Sequence, residues 1–145
     1  MINLSIFSER LKELMFYKNL KYKDLAKNIG VARSTVSELA RGEFLPSYKT
    51  FVRIIEYFNC SADFLLGRTD KNSDNFKAVQ PFGERLRFLL ENENKSQYGL
   101  EKFKQISGSI VYEWLTNKYL PSLENLVKVA EYFDHSVDYV LGREN

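Results

Sequence analysis

Cysteine and histidine are almost absent. The chain of 145 residues has one of each. No disulfide can close within it, and the thiolate and imidazole sets that hold zinc are missing. Proline occurs three times, which leaves long stretches free to be helical. No stretch reaches the ~20 apolar residues of a membrane-spanning helix. The opening MINLSIFSERLKELM lacks the basic flank and apolar run of a secretion signal. No membrane association is expected, and the cytoplasm is the default location. Charge of one sign is scarce too: 21 Lys/Arg stand against 19 Asp/Glu, a net +2, too little to argue for a polyanionic partner by itself. No carboxylate pair, glycine-rich phosphate loop or nucleophile arrangement rises above background. The chain therefore reads as not an enzyme, with no cofactor and no metal. What is present is 44% hydrophobic residues, with 9 Tyr and 11 Phe, enough for packed cores rather than disorder.

A shift of 75 positions lays the sequence on itself without a gap. FSERLKELM from Phe7 falls on FGERLRFLL from Phe82, and IEYFNCSADFLLGR from Ile55 falls on AEYFDHSVDYVLGR from Ala130. Roughly a third of the paired positions are identical, which reads as a unit of about 63 residues used twice. The expected division is a first domain over 1–69, a polar linker over 70–80, and a second domain over 81–145. Charge divides unevenly. Residues 1–72 carry 12 Lys/Arg and 8 Asp/Glu, whereas residues 73–145 carry 9 and 11.

Each copy reads as five helices. In the first they fall near 7–18, 22–29, 32–41, 48–58 and 62–66, with Phe7, Leu11 and Leu14 inward on the first helix and Ser47 and Ser61 as caps. In the second they fall near 82–93, 97–104, 107–116, 123–133 and 137–141. Tyr22 to Pro46 is the best-defined stretch. Leu25, Ala26 and Ile29 form one apolar face, Gly30 stops that helix, and Val36, Leu39 and Ala40 form the face of the next. Arg33, Ser34, Thr35, Ser37 and Glu38 are left outward.

The pattern L-A-x-x-x-G-V-x-x-S-x-V-S-x-L-x-x-G-x-x-x-P, Leu25 to Pro46, resembles the helix-turn-helix of the Cro/C1-type (XRE) phage repressor family. The resemblance implies an all-α chain of two tandem five-helix, lambda-repressor-like domains. It also implies double-stranded DNA as partner, read in the major groove by the third helix. Carried over position by position, the candidate DNA-binding residues are Tyr22, Lys23, Arg33, Ser34, Thr35, Ser37, Glu38 and Lys49, with Gln97 and Ser109 in the second copy. Arg33 suits guanine or a phosphate, the hydroxyls suit base edges or phosphates, and Glu38 suits a cytosine amino group. Two departures stand out: Tyr22 where the family usually has glutamine, and Ala32 where it usually has a capping Ser or Thr. The eleven linker residues, fully extended, reach roughly 36 Å, close to the ~34–36 Å between half-sites one DNA turn apart.

The second copy departs further. It keeps Ser107 as the expected cap of its third helix. Glu101 replaces Ala26 between two packed helices, so that either the helices splay or the carboxylate reaches solvent. Gln105 replaces Gly30, Gly108 replaces Arg33, and Ile110 and Tyr112 replace Thr35 and Ser37. That face suits a protein partner or a homodimer contact better than a groove. Two functions follow: a sequence-specific DNA-binding transcriptional regulator of repressor type, or a protein-interaction module on the same fold, antitoxin-like or anti-repressing, with DNA binding weak or lost. Cys60 and His135 fall on equivalent positions in different copies and make no ligand pair. Trp114 reads as core.

Overall fold

The computed structural model describes residues 2–145. They fall into two compact units, the first ending at Phe76 and the second spanning Lys77–Asn145. Among the described residues there is no strand, and no helix is long and apolar enough to cross a membrane.

The first unit holds α1 (Leu4–Tyr17), α2 (Tyr22–Ile29), α3 (Arg33–Ala40), α4 (Tyr48–Phe58) and α5 (Ala62–Leu65). α1 starts earlier than its apolar spacing suggests because Asn3 caps it. The Asn3 side-chain oxygen accepts from the N–H groups of Ser5 at 2.9 Å and Ile6 at 3.2 Å, which are left open at a helix start. Met15 rather than Leu14 completes the inward stripe with Phe7 and Leu11. Leu25 and Ile29 of α2, Val36 and Leu39 of α3, and Phe51, Ile54 and Ile55 of α4 close the core around that stripe. Ser47 caps α4 and Ser61 caps α5, accepting from Thr50 N–H at 3.2 Å and Phe64 N–H at 3.1 Å. Burial, with the Glu56 charge adding, pushes the Tyr48 phenol well above its ordinary value, so this ring is a neutral part of the core.

The second unit holds α6 (Phe82–Asn92), α7 (Gln97–Lys104), α8 (Gly108–Leu115), α9 (Leu123–Phe133) and α10 (Val137–Val140). The 75-residue shift carries the bounds of α2 to α5 onto those of α7 to α10. Left-handed backbone conformations obey the same shift: Asn19 and Asn94, Gly30 and Gln105, Gly42 and Asn117, Asn59 and Asp134, Gly67 and Gly142. Gln105 therefore makes the turn of Gly30 with φ +56° against +73°, at the steric cost that a Cβ adds in this region.

Paired positions also exchange bulk. Phe7 packs on Phe51 of α4, with ring centroids 6.4 Å apart. Its counterpart Phe82 packs edge-on against Trp114 of α8 at 5.8 Å. The large ring thus moves from α4 to α8, while the partners Leu39 and Leu126 become the small members, which conserves core volume. A second exchange lies where the first helix crosses the turn after the third. The first unit has Ser8 on the helix and Gly42 on the turn. The second has Gly83 on the helix, whose N–H donates to the Asn117 side chain at 3.2 Å. A Cβ on Gly83 would lie 2.5 Å from both Asn117 Oδ1 and the Trp114 carbonyl oxygen.

One arginine in each unit fastens its fifth helix. Arg10 donates to the Phe64 and Thr69 carbonyls and lies 4.2 Å over the Phe64 ring. Arg85 donates to Tyr139 O at 2.6 Å and Val140 O at 3.1 Å, and lies 5.3 Å over the Tyr139 ring. Carbonyls at a helix end lack intrahelical donors, and the guanidinium supplies them. Within the second unit the Asp138–Arg143 pair, 2.6 Å apart, is almost wholly buried. In the first unit Arg68 of the matching Asp63–Arg68 pair, at 2.9 Å, reaches solvent.

The stretch expected as a polar linker is largely held by hydrogen bonds. Asn72 accepts from Ser61 N–H at 3.0 Å and the Asp74 carbonyl accepts from the Asn59 amide. Further on, the Lys77 and Gln80 N–H groups donate to the Arg143 and Leu141 carbonyls, each at 2.9 Å. Its side-chain amides and backbone groups satisfy donors and acceptors left at the helix ends, so the eleven residues do not act as a simple extended spacer.

Gly83→Ser should destabilise the chain by about 1–3 kcal/mol through overpacking. Adding Asn117→Gly should recover part of that loss, because it restores the arrangement of Ser8 and Gly42. Urea unfolding followed by Trp114 fluorescence measures both; equal stability of single and double variants would refute the exchange.

Candidate nucleic-acid interface

α2 and α3 are eight residues each, and their buried faces fix what they present outward. With Leu25, Ala26, Ile29, Val36, Leu39 and Ala40 buried, Arg33 and Ser34 stand exposed, while Thr35, Ser37 and Glu38 are half-buried. Arg53 of α4 braces the turn between the helices by donating to the Gly30 carbonyl at 3.3 Å. Lys21 N–H donates to Asp24 Oδ2 at 2.9 Å, which starts α2.

The start of α2 and the start of α3 face a common hollow of about 460 Å³ lined by Leu20, Lys21, Tyr22, Lys23 and Arg33. Three of the residues expected at the site, Tyr22, Lys23 and Arg33, are brought together here. Lys21 joins them and was missed, although its place just before the expected second helix was a signal for it. Lysine ammonium groups, an arginine fork and the unsatisfied N–H groups of helix starts make such a hollow suited to an anion of phosphate size.

A polar stripe runs from it along α3. Ser34, Glu38 and Arg41 are spaced i, i+4 and i+7 on one face. Arg41 was also missed, though that spacing marks it. Its guanidinium donates to the Ser37 hydroxyl and pairs with Glu43, Nε to Oε2 at 2.6 Å. Ser37 is thereby engaged within the helix end rather than standing open. Lys49 is exposed one residue into α4, behind the Ser47 cap, and is not among the residues lining the hollow.

The second unit has a hollow of about 470 Å³ at the turn between α7 and α8, lined by Tyr98, Glu101, Lys102, Gln105, Ile106 and Ser107, and of these only Tyr98 corresponds to a residue of the first hollow, Lys23. Gln97 is half-buried and Ser109 exposed, and neither is among these. Ser107 does not cap α8 as expected. Its hydroxyl is turned to the Ser109 hydroxyl at 2.9 Å, and no side-chain cap bond forms. The Glu101 carboxylate lies there instead. A Cβ built on Gly108 would come 2.7 Å from Glu101 Oε1, so the glycine leaves the room that the carboxylate fills at the positive end of α8. Glu101 for Ala26 and Gly108 for Arg33 are thus one exchange. The half-exposed Glu101 reaches solvent, and α7 also packs on α8 less extensively than α2 on α3. Of the two outcomes expected for a carboxylate at this position, access to solvent is the one observed.

The two faces differ in charge. Residues 21–49 carry six Lys/Arg and three Asp/Glu, whereas the matching residues 96–124 carry three of each. They differ in polarity as well: Tyr112 is 62% and Ile110 39% exposed, where the first unit has Ser37 and Thr35.

Comparison with known proteins accords with the geometry of the first unit. The helix-turn-helix family matches residues 17–65. An uncharacterised HTH-type transcriptional regulator of Archaeoglobus fulgidus is 35% identical over 54 residues, which are 37% of this chain and 76% of that relative. The chain belongs to the helix-turn-helix family. YqaE of Bacillus subtilis, another uncharacterised HTH-type transcriptional regulator, is 32% identical over 75 residues, 52% of this chain and 61% of the relative. The chain thus spans less than two thirds of that relative's length. No solved structure matches it. The helix-turn-helix match covers the end of α1 through α5 and lies wholly in the first unit.

Replacing the Glu101 charge should show its role. Glu101→Gln is expected to lower unfolding free energy by roughly 0.3–1 kcal/mol at low ionic strength, with the loss shrinking in high salt. Denaturant titrations on Trp114 fluorescence at two salt concentrations read this; an equal loss at both would mean that Glu101 acts by packing and not by charge.

Proposed function

We propose that this helix-turn-helix protein is a sequence-specific DNA-binding transcriptional regulator, and that its first unit lays α3 in the major groove. The observation that carries the reading is the hollow of Lys21, Tyr22, Lys23 and Arg33 at the starts of α2 and α3, continuous with the polar stripe of α3. Phosphate contacts fix register and base-edge contacts specify sequence. Here Lys21, Lys23 and the Tyr22 hydroxyl take backbone phosphates, with Lys49 a further phosphate contact. Arg33, Ser34 and Glu38 read base edges, and Thr35 and Ser37 with Arg41 support the stripe. That both relatives are HTH-type transcriptional regulators supports transcriptional regulation, and the resemblance to phage repressors favours action by site occupancy.

The second unit is a diverged duplicate of the first. Shared helix bounds, shared left-handed positions and reciprocal exchanges of bulk support descent from one domain. Its Glu101 at the start of α8 repels phosphate, and its charge-balanced face lacks the excess of cations that attracts DNA. Gln97 and Ser109 are accordingly minor contributors to DNA contact. The rival reading, an interaction module with DNA binding lost, is favoured only by the apolar side chains of this second face.

Selection from a randomised duplex library at two salt concentrations tests the proposal. Arg33→Ala should cost about 1–3 kcal/mol of binding and relax one base position. Lys23→Ala should weaken all sequences alike and lower the salt slope by about one. If the unaltered chain enriches no sequence, the regulator reading is wrong. If Arg33→Ala leaves the preferred site and affinity unchanged, α3 is not the reader.

A further inference from the structure

Arg41 follows directly on α3, beside the stripe assigned to DNA, and its guanidinium is already engaged within the chain. One terminal nitrogen donates to the Ser37 hydroxyl. Nε and the other terminal nitrogen lie 2.6 and 2.5 Å from Glu43 Oε2. The backbone brings this about. Gly42 is left-handed at φ +73°, and the Glu43 N–H donates to the Glu38 carbonyl at 3.1 Å. The chain doubles back over the end of α3 and returns Glu43 beside Arg41. Both side chains stay open to solvent, Arg41 at 56% and Glu43 at 46%.

The fold does not need this pair. The matching residues of the second unit are Thr116 and Lys118, which cannot form it. There Asn117 takes the left-handed place of Gly42, and the Lys118 N–H donates to the Glu113 carbonyl at 2.9 Å. The Thr116 hydroxyl bonds the Tyr112 and Glu113 carbonyls. The same turn closes without a guanidinium or a carboxylate. The pair goes with the cationic face and is absent from the charge-balanced one.

We propose that Glu43 is a positioning residue that holds Arg41 back from DNA, its carboxylate taking the place on the guanidinium that a backbone phosphate would take. This rests on the reading of the first unit as a DNA-binding domain and deepens it. A guanidinium fork offers the same N–H donors to a carboxylate and to a phosphate, so the two oxyanions compete for Arg41. An exposed ion pair is worth little, so a phosphate displaces Glu43 rather than being shut out. Arg41, once released, neutralises a phosphate, a contact that carries no sequence information. Glu43 therefore lowers affinity for every duplex alike and leaves sequence preference to Arg33, Ser34 and Glu38.

Fluorescence anisotropy of the full chain with a random-sequence duplex and with a selected one, over a range of salt concentrations, tests the idea. Glu43→Gln should raise affinity for both about two- to fivefold at low salt. It should also steepen the fall of log affinity with log salt by about one, with the preferred sequence unchanged. On top of Arg41→Ala the gain should be much smaller. An equal gain there overturns the proposal, because Glu43 would then act only by its own repulsion of phosphate. Unchanged or weaker binding by Glu43→Gln overturns it as well. The restraint is also read without DNA: the Arg41 Nε–H proton should exchange with water more slowly in the unaltered chain than in Glu43→Gln. Equal exchange in the two overturns the restraint and leaves the DNA-binding reading intact, whereas a chain that binds no duplex overturns both. All variants should keep their helical circular dichroism, because the second unit closes the same turn without the pair.

Discussion

An eight-residue helix does not hold itself together in water, where isolated helices below ~12–15 residues are marginal. α2 and α3 are both that short, and everything they present outward depends on what they bury. Leu25, Val36 and Leu39 are fully buried against α1 and α4, and Arg53 holds the turn between them. The inner face carries the stability. The outer face is free to take any side chains that solvent or a partner accepts.

That division explains how two units with matching helices carry such different surfaces. Inside, changes occur in compensating pairs. The large ring opposite Phe7 and Phe82 is Phe51 in one unit and Trp114 in the other. The small residue at the helix crossing is Gly42 in one and Gly83 in the other. Glu101 occupies the room that Gly108 leaves. Close-packed interiors transmit a change in volume directly to the neighbour, so neither member of a pair changes alone. Outside there is no such coupling, and Ser37 to Tyr112 or Lys49 to Glu124 needs no partner.

The electrostatic outcome follows from the same placement. In the first unit lysine and arginine surround two helix starts, where their charges add to the positive ends of the helices. In the second the corresponding helix start already has a carboxylate from its own chain. The start of α8 therefore has a carboxylate beside it, whereas cationic side chains line the hollow at the starts of α2 and α3. The arginines that fasten α5 and α10 are spent on carbonyls in both units and do not join either surface.

The helix order, the stop at Gly30, the caps Ser47 and Ser61 and most of the core were legible in the sequence. They depend on local spacing and on backbone preferences that act within a few residues. Tyr22, Lys23 and Arg33 were legible as candidates for the same reason. Only the tertiary structure decided that Arg41 engages Ser37, that Ser107 turns away from α8, and that the stretch around Asn72 and Asp74 is held by hydrogen bonds. Each of these is settled by where a long side chain or a backbone donor finds its partner across a turn or between helices. Distance along the chain does not encode such a choice; the packing of α7 on α8 and of each fifth helix on its neighbours does.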